Sequence, residues 1–270
     1  MERNQRPDAE KQQGERNNTT SKKTRQTSSE KEHRKAVEII VLIRGRNCGK
    51  TIEKCLRSIR RQTHPYWSAV ISLDAPMDNS VEITRNAIHD DYRFFLIVNN
   101  KWLGLCHNMY KIIRQTDRTM KPNNDVVAAV IDADDFISKD AFSMVEREYR
   151  KHPDTLITYG SYKKMSRKKR TKISRAYPKS GNVRKLPWRG SHLKTIRWKI
   201  LKQVKPKWFQ YKGKWLEAAS DLALMFPCIE LAGLKRSRHI HKVIYYWNDN
   251  MTKRKRAVQK RCEKILRGKK

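Results

Sequence analysis

Residues 125–138, Asp-Val-Val-Ala-Ala-Val-Ile-Asp-Ala-Asp-Asp-Phe-Ile-Ser, constrain the fold more than any other stretch of the chain. Six consecutive apolar residues, Val126 through Ile131, bounded by carboxylates, read as a strand buried on both faces, as in the middle of a parallel sheet. Asp132, Asp134 and Asp135 follow at its C-terminal end. Ligands of open α/β sheets bind at the carboxyl ends of strands, and an Asp-x-Asp there suits a hard divalent cation that keeps waters and bridges diphosphate oxygens. The competing local reading makes Asp134 and Asp135 turn formers and Ser138 the cap of a helix with apolar positions Ala141, Phe142, Val145 and Tyr149.

The surrounding chain has the pattern such a strand needs. Residues 37–43 form a second buried-strand pattern, followed by a short connection and helical spacing at Ile52, Cys55, Leu56 and Ile59. Residues 69–73 are a third strand, ending in Asp74 and turn residues that lead into a helix through Ile88. Residues 93–98 are a fourth, followed by Gly104 and a helix buried through Leu105, Met109, Ile112 and Ile113. Strands alternating with helices imply right-handed crossovers and a mostly parallel, Rossmann-like α/β sheet covered on both faces. Residues 1–35 are polar without apolar periodicity and are expected to be a disordered tail.

Several classes are excluded. No apolar run approaches membrane-span length and Met1 leads into no hydrophobic segment, so the expectation is a cytoplasmic protein with no transmembrane segment. Cys48, Cys55, Cys106, Cys228 and Cys262 are odd in number and contain no Cys-x-x-Cys, which argues for reduced thiols rather than a disulfide framework or zinc ribbon. Neither the Gly-x-Gly-x-x-Gly of dinucleotide sites nor a Gly-x-x-x-x-Gly-Lys-Ser/Thr phosphate loop follows the first strand.

Five motifs in register carry a resemblance: Asn47 after the first strand, Cys55-Leu-x-Ser58-Ile59 with Gln62, Asp74-Ala-x-x-Asp78-Asn-Ser80, Asn100-x-x-x-Gly104-Leu-x-x-Asn108, and Asp132-x-Asp134-Asp135. Together with residues 188–201, Asp221 and a closing Val243-Ile-Tyr-Tyr-Trp-Asn248, they resemble the family-2 glycosyltransferases of the GT-A fold over about residues 36–250. The resemblance implies a nucleoside-diphosphate-sugar donor held by Asp74, which would pair with its base, and by Asn47, Asn100, Asp132 and His107. It implies Mg²⁺ or Mn²⁺ on Asp132 and Asp134, with Asp134 the direct ligand, and Asp221 as the base in an inverting transfer. His107 stands where many members have Arg, and Arg44-Gly45-Arg46 where Pro-Thr-Tyr is usual. His239 and His241 are candidates for a third metal ligand or a surface pattern. A simple N-cap is the alternative for Asp221.

Charge divides the chain further. The net charge is +35, yet residues 36–162 hold 18 basic and 16 acidic side chains, while residues 163–214 hold 20 basic and none acidic. The expected organisation is therefore a nucleotide-sugar-binding half at 36–162, a basic acceptor half at 163–250 and a basic helix or tail at 251–270, with Val258, Cys262, Ile265 and Leu266 as its apolar stripe. Tyr177, Trp188, Trp198, Trp208, Phe209 and Tyr211 interleave with the cations, a pattern for phosphate contact and base stacking. A polyanionic acceptor follows, with DNA bearing hydroxylated bases, as some viruses make, favoured over an anionic glycan or lipid surface. A non-enzymatic nucleic-acid-binding protein would explain the charge but not the carboxylates. A sugar nucleotidyltransferase would share the fold, but its Gly-rich first loop is missing.

Overall fold

The structure is a computed structural model that describes residues 36–165, 171–249 and 252–269. The tail expected at 1–35 lies outside the described residues, as do residues 166–170 of the basic stretch. The first half alternates β1 (Ile39–Gly45), α1 (Ile52–Arg60), β2 (Trp67–Asp74), α2 (Ser80–Ile88), β3 (Phe94–Asn99), α3 (Leu105–Met120) and β4 (Val127–Asp132). Next come β5 (Phe136–Ile137), α4 (Ala141–Lys151), β6 (Ile157–Lys164), β7 (Thr171–Lys172), β8 (Lys194–Arg197), α5 (Trp198–Leu201) and α6 (Pro206–Phe209). The chain continues through β9 (Gln210–Tyr211), β10 (Lys214–Trp215), α7 (Ser220–Ala232), β11 (Ser237–Trp247) and α8 (Lys253–Gly268).

The apolar runs of β1 and β4 exist because side chains alternate across a strand and both faces here are covered. Ile39, Val41 and Ile43 pack with Ile52, Cys55, Leu56 and Ile59 of α1 and Phe142, Val145 and Tyr149 of α4. Ile40 and Leu42 face the other way, onto Cys106, Met109, Ile112 and Ile113 of α3 and the buried α7. Helix α7 is apolar nearly all round, as a helix enclosed by its neighbours must be. The covered α/β sheet expected from sequence is the fold that forms.

The main sheet runs β3-β2-β1-β4-β8-β6-β11-β5, with β7 on β6. Its long ladders, β2 on β3, β1 on β2, β1 on β4 and β6 on β11, are parallel, while β8 enters antiparallel between β4 and β6. Register sets the site: Arg44 lies opposite Asp132 at the carboxyl ends of β1 and β4, and β8 places Lys194 beside Val130. Gly45 is required where β1 passes Ala133, since a Cβ there would stand 2.6 Å from the Ala133 Cβ. Helix α8 lies on α7, burying Cys262 and Leu266.

Candidate active site

A cluster of carboxylates at the end of β4 meets a single carboxylate from the start of α7. The Asp132 loop leaves β4 and is tied back to β1 by the Ala133 N–H donating to the Arg44 carbonyl at 2.8 Å. Asp135, almost fully buried, accepts from the Tyr245 hydroxyl at 2.5 Å and the Asn248 N–H at 2.7 Å, which fastens the loop to the end of β11. Burial, together with the charges of Asp132 and Asp134, pushes the Asp135 carboxyl up to about 8. Ser138 does not cap α4: its hydroxyl donates to Asp140, the residue that precedes the helix.

Asp221 arrives from the first turn of α7, where Ala219 rather than Asp221 occupies the capping position. Two cations and a histidine surround it. Lys194 Nζ stands 3.1 Å from Asp221 Oδ1, Arg44 Nη2 3.9 Å from the same atom, and His192 Nε2 3.8 Å from Oδ2. Burial alone would raise this carboxyl, but Lys194, His192 and Arg44 outweigh it and hold Asp221 below the usual carboxylate range. Lys194 is itself only 1% exposed, with Nζ 2.9 Å from His192 Nδ1. Burial and the neighbouring Lys194 lower His192 to about 4, so its ring, stacked on Tyr245 at 4.4 Å, is neutral in the physiological range.

Arg44 joins the two groups. Its Nη2 donates to Asp132 Oδ1 at 2.5 Å, and its Nη1 donates to Ser220 Oγ at 3.1 Å and the Leu105 carbonyl at 3.3 Å. Asp132 and Asp221, 89 positions apart in the sequence, thus share one guanidinium. Arg44, Lys194 and His192 were not among the site residues expected from sequence. Arg44 stands out in sequence only as the start of the Arg44-Gly45-Arg46 connection after a strand expected to end at residue 43, and Lys194 is indistinguishable by composition from the exposed lysines around it.

The residues expected to hold a donor line the same edge of the sheet. Asp74 accepts from the Leu103 N–H at 2.9 Å, the Gly104 N–H at 2.8 Å and Asn99 Nδ2 at 3.1 Å, so it shapes the loop between β3 and α3. Asn47, in the left-handed region at φ 50°, accepts from the Met77 N–H at 2.7 Å. Asn100 is exposed beyond β3. His107 stacks on Trp215 at 4.1 Å, and burial followed by the charge of Lys111 lowers its pKa.

A divalent cation would find two protein ligands here. Among the described residues, no group of three or more His, Cys, Asp and Glu side chains comes together with metal-binding spacing. Asp132 and Asp134 are the carboxylates that could hold a hard cation taking its other ligands from phosphate and water, and Asp135 beside them is raised chiefly by its own burial and only then by their charges. His239 belongs elsewhere. It precedes Tyr245 by six residues on β11, roughly 20 Å at ~3.3 Å per residue, and its ring lies against Tyr159 and His241.

The basic stretch is only partly a surface. Lys194 pairs with Asp221, Arg184 forks onto Glu230, and Arg197 lies over Tyr149. Tyr177, Trp198 and Phe209 are core residues, which corrects the expectation that they offer faces for base stacking. Tyr211 is exposed, and Trp188 and Trp208 are half-buried against the core. Lys199, Lys202, Lys205, Lys207, Lys212 and Lys214 remain exposed.

A mixed α/β sheet with carboxylates converging at its strand ends is the frame of a GT-A glycosyltransferase. The family description Glycosyl transferase family 2 matches residues 39–208, and the chain belongs to that family. Among solved structures, it is similar to S. aureus TarS 1–349 in complex with UDP-GlcNAc, at 16% identity and TM-score 0.59, covering 82% of this chain and 61% of that one. It is also similar to the mannosyltransferase PcManGT from Pyrobaculum calidifontis in complex with GDP-Man and Mn²⁺, at 15% identity and TM-score 0.55, covering 86% of this chain and 65% of that one. The chain therefore spans rather less than two thirds of these structures' own length. No curated protein matches it in sequence. Among the described residues no helix is long and apolar enough to cross a membrane.

Proposed function

We propose that this family-2 glycosyltransferase is a metal-dependent, inverting enzyme that moves a sugar from a nucleoside diphosphate to a hydroxyl of a polyanionic acceptor in the cytoplasm. The observation that carries this reading is the sharing of Arg44 between Asp132 and Asp221, which brings a donor-side and an acceptor-side carboxylate to one point. Both structural neighbours named above were solved with a nucleotide sugar, one of them with Mn²⁺, which supports a sugar-nucleotide donor. Mg²⁺ or Mn²⁺, when bound, would offset the charge of the leaving diphosphate. Asp132 and Asp134 would hold it. Asp74 and Asn47 fix the loops beneath the donor base, with Asn100 and His107 flanking the donor.

Asp221 takes the proton of the acceptor hydroxyl. Its depressed pKa keeps it ionised through the neutral range, and it takes the proton as the acceptor oxygen, bonding to the sugar carbon, becomes acidic. The acceptor approaches across exposed lysines of 199–214 and α8. With three of the six aromatics of the basic stretch in the core and two half-buried, charge more than stacking carries recognition, which suits duplex DNA or another phosphate-rich polymer. The test is Asp221→Asn. It should retain donor binding and lose transfer by on the order of 10² to 10⁴ in rate. Wild-type turnover in this variant would remove Asp221 from the mechanism.

A further inference from the structure

The three residues that lead into Asp221 are each tied to a different element. The Ala218 carbonyl accepts from the Cys106 thiol of α3 at 3.4 Å, and Ser220 Oγ accepts from Arg44 of β1 at 3.1 Å. Between them, the Ala219 N–H donates to Gln259 Oε1 of α8 at 3.0 Å. Ala219 is 3% exposed and left-handed, at φ 62° and ψ 30°, a conformation that a residue with a Cβ adopts only when its surroundings hold it there. Its carbonyl already serves the first turn of α7, accepting from the Ala223 N–H at 2.9 Å. A buried N–H without a partner would oppose this geometry, and Gln259 is the partner it has.

Helix α8 is well placed for such a task. Leu266 and Cys262 are buried against α7, with Val258 and Ile265 packed beside them. Lys269 Nζ closes the far end by donating to the carbonyls of Lys207, Trp208 and Gln210. Arg261 reaches Glu217 at 3.1 Å, on the same approach to α7. The family match ends at residue 208, so α8 and Gln259 lie outside it.

We infer that Gln259 is a positioning residue for transfer: it holds Ala219 in its left-handed conformation and so sets where the Asp221 carboxylate points. The inference rests on the reading of Asp221 as the base. A displacement of about 1 Å in a reacting group costs on the order of a hundredfold in rate, so a single contact remote from the chemistry can matter. The consequence is that the basic C-terminal helix is part of the active-site frame as well as of the charged surface.

The experiment compares Gln259→Ala, which removes the acceptor oxygen, with Gln259→Glu, which keeps one. Three readouts are taken on the full chain: hydrogen exchange at the Ala219 amide, affinity for UDP and GDP with Mn²⁺, and turnover of UDP- and GDP-sugars. For Gln259→Ala we expect exchange at Ala219 to rise about tenfold, the worth of one net hydrogen bond. Turnover should fall about ten- to a hundredfold with nucleoside-diphosphate affinity unchanged. Gln259→Glu should restore both. Unchanged exchange in Gln259→Ala overturns the contact, and wild-type turnover despite faster exchange overturns its role. Parallel loss of affinity, turnover and melting temperature would make Gln259 a general stability residue and equally overturn the inference. If the wild type turns over no sugar nucleotide, the functional reading fails instead, while the exchange measurement still decides whether Gln259 holds Ala219.

Discussion

Replacing Lys194 by methionine keeps most of the side chain's volume and removes its charge from beside Asp221. Lys194 is 1% exposed and its Nζ lies 3.1 Å from Asp221 Oδ1, whereas Asp221 is 27% exposed and retains Arg44 at 3.9 Å. Breaking a fully buried pair costs about 3 to 5 kcal/mol because the remaining charge is stranded. Partial exposure and the surviving Arg44 place this variant at the low end, about 3 kcal/mol. For a chain of this size that is a fall of roughly 6 to 12 °C in melting temperature. Thermal denaturation at pH 7 of Lys194→Met, Asp221→Asn and the double variant makes a closed cycle. Each single variant strands one charge, so the double variant should recover at least half of the loss. In the pH profile of turnover, Lys194→Met should also move the acid limb upward, since the cation that depresses Asp221 most is gone. A single variant as stable as the wild type, or additive losses in the double, would refute the ion-pair reasoning.

His192 has a folded pKa of about 4 against an ordinary value of 6.5, so between those values the unfolded chain binds a proton that the folded one does not. Stability is therefore lost as pH falls from 6.5 toward 4, by at most about 3 kcal/mol, and denaturant titrations of His192→Asn should show that slope flattened. Asp134→Asn should lose Mn²⁺-dependent binding of a nucleoside diphosphate in calorimetry while melting like the wild type; undiminished binding would remove Asp134 as a ligand. Polyanion affinity, read by fluorescence anisotropy with labelled duplex DNA, should fall with salt at a slope of about −0.9 per phosphate contacted. Converting the exposed Lys205, Lys207 and Lys212 to Gln should shrink that slope by up to about three, and an unchanged slope would move the contact surface elsewhere.

What could be read from sequence follows what burial does to composition. Strands β1 and β4 are enclosed on both faces, so they appear as apolar runs, and α1 and α3 show their buried stripes at helical spacing. The predicted limits of β1 stop at residue 43 because its last residues, Arg44 and Gly45, carry no apolar signal; both continue the ladder with β2. Strand β8 has the opposite problem. Its Lys194 is buried by a partner 27 positions later in the chain, and no local pattern announces that Asp221 will be there. The aromatic residues of the basic stretch misled for a related reason, since Trp198 and Phe209 supply core contacts to α7 that a linear count cannot separate from surface faces. The stripe of Val258, Cys262, Ile265 and Leu266 marked α8 as amphipathic, but the bond from Ala219 to Gln259 depends on how α8 lies across α7.

The proposed role of the carboxylates gathered at the end of β4 and the start of α7 is to serve a sugar nucleotide. The most direct test is release of nucleoside diphosphate from uridine, guanosine and thymidine diphosphate sugars by the full chain, with Mn²⁺ and with a chelator. Slow hydrolysis of at least one donor, abolished by the chelator and by Asp134→Asn, is the expected result. Absence of release from every donor, together with no binding of UDP, GDP or TDP in the presence of Mn²⁺, would contradict it.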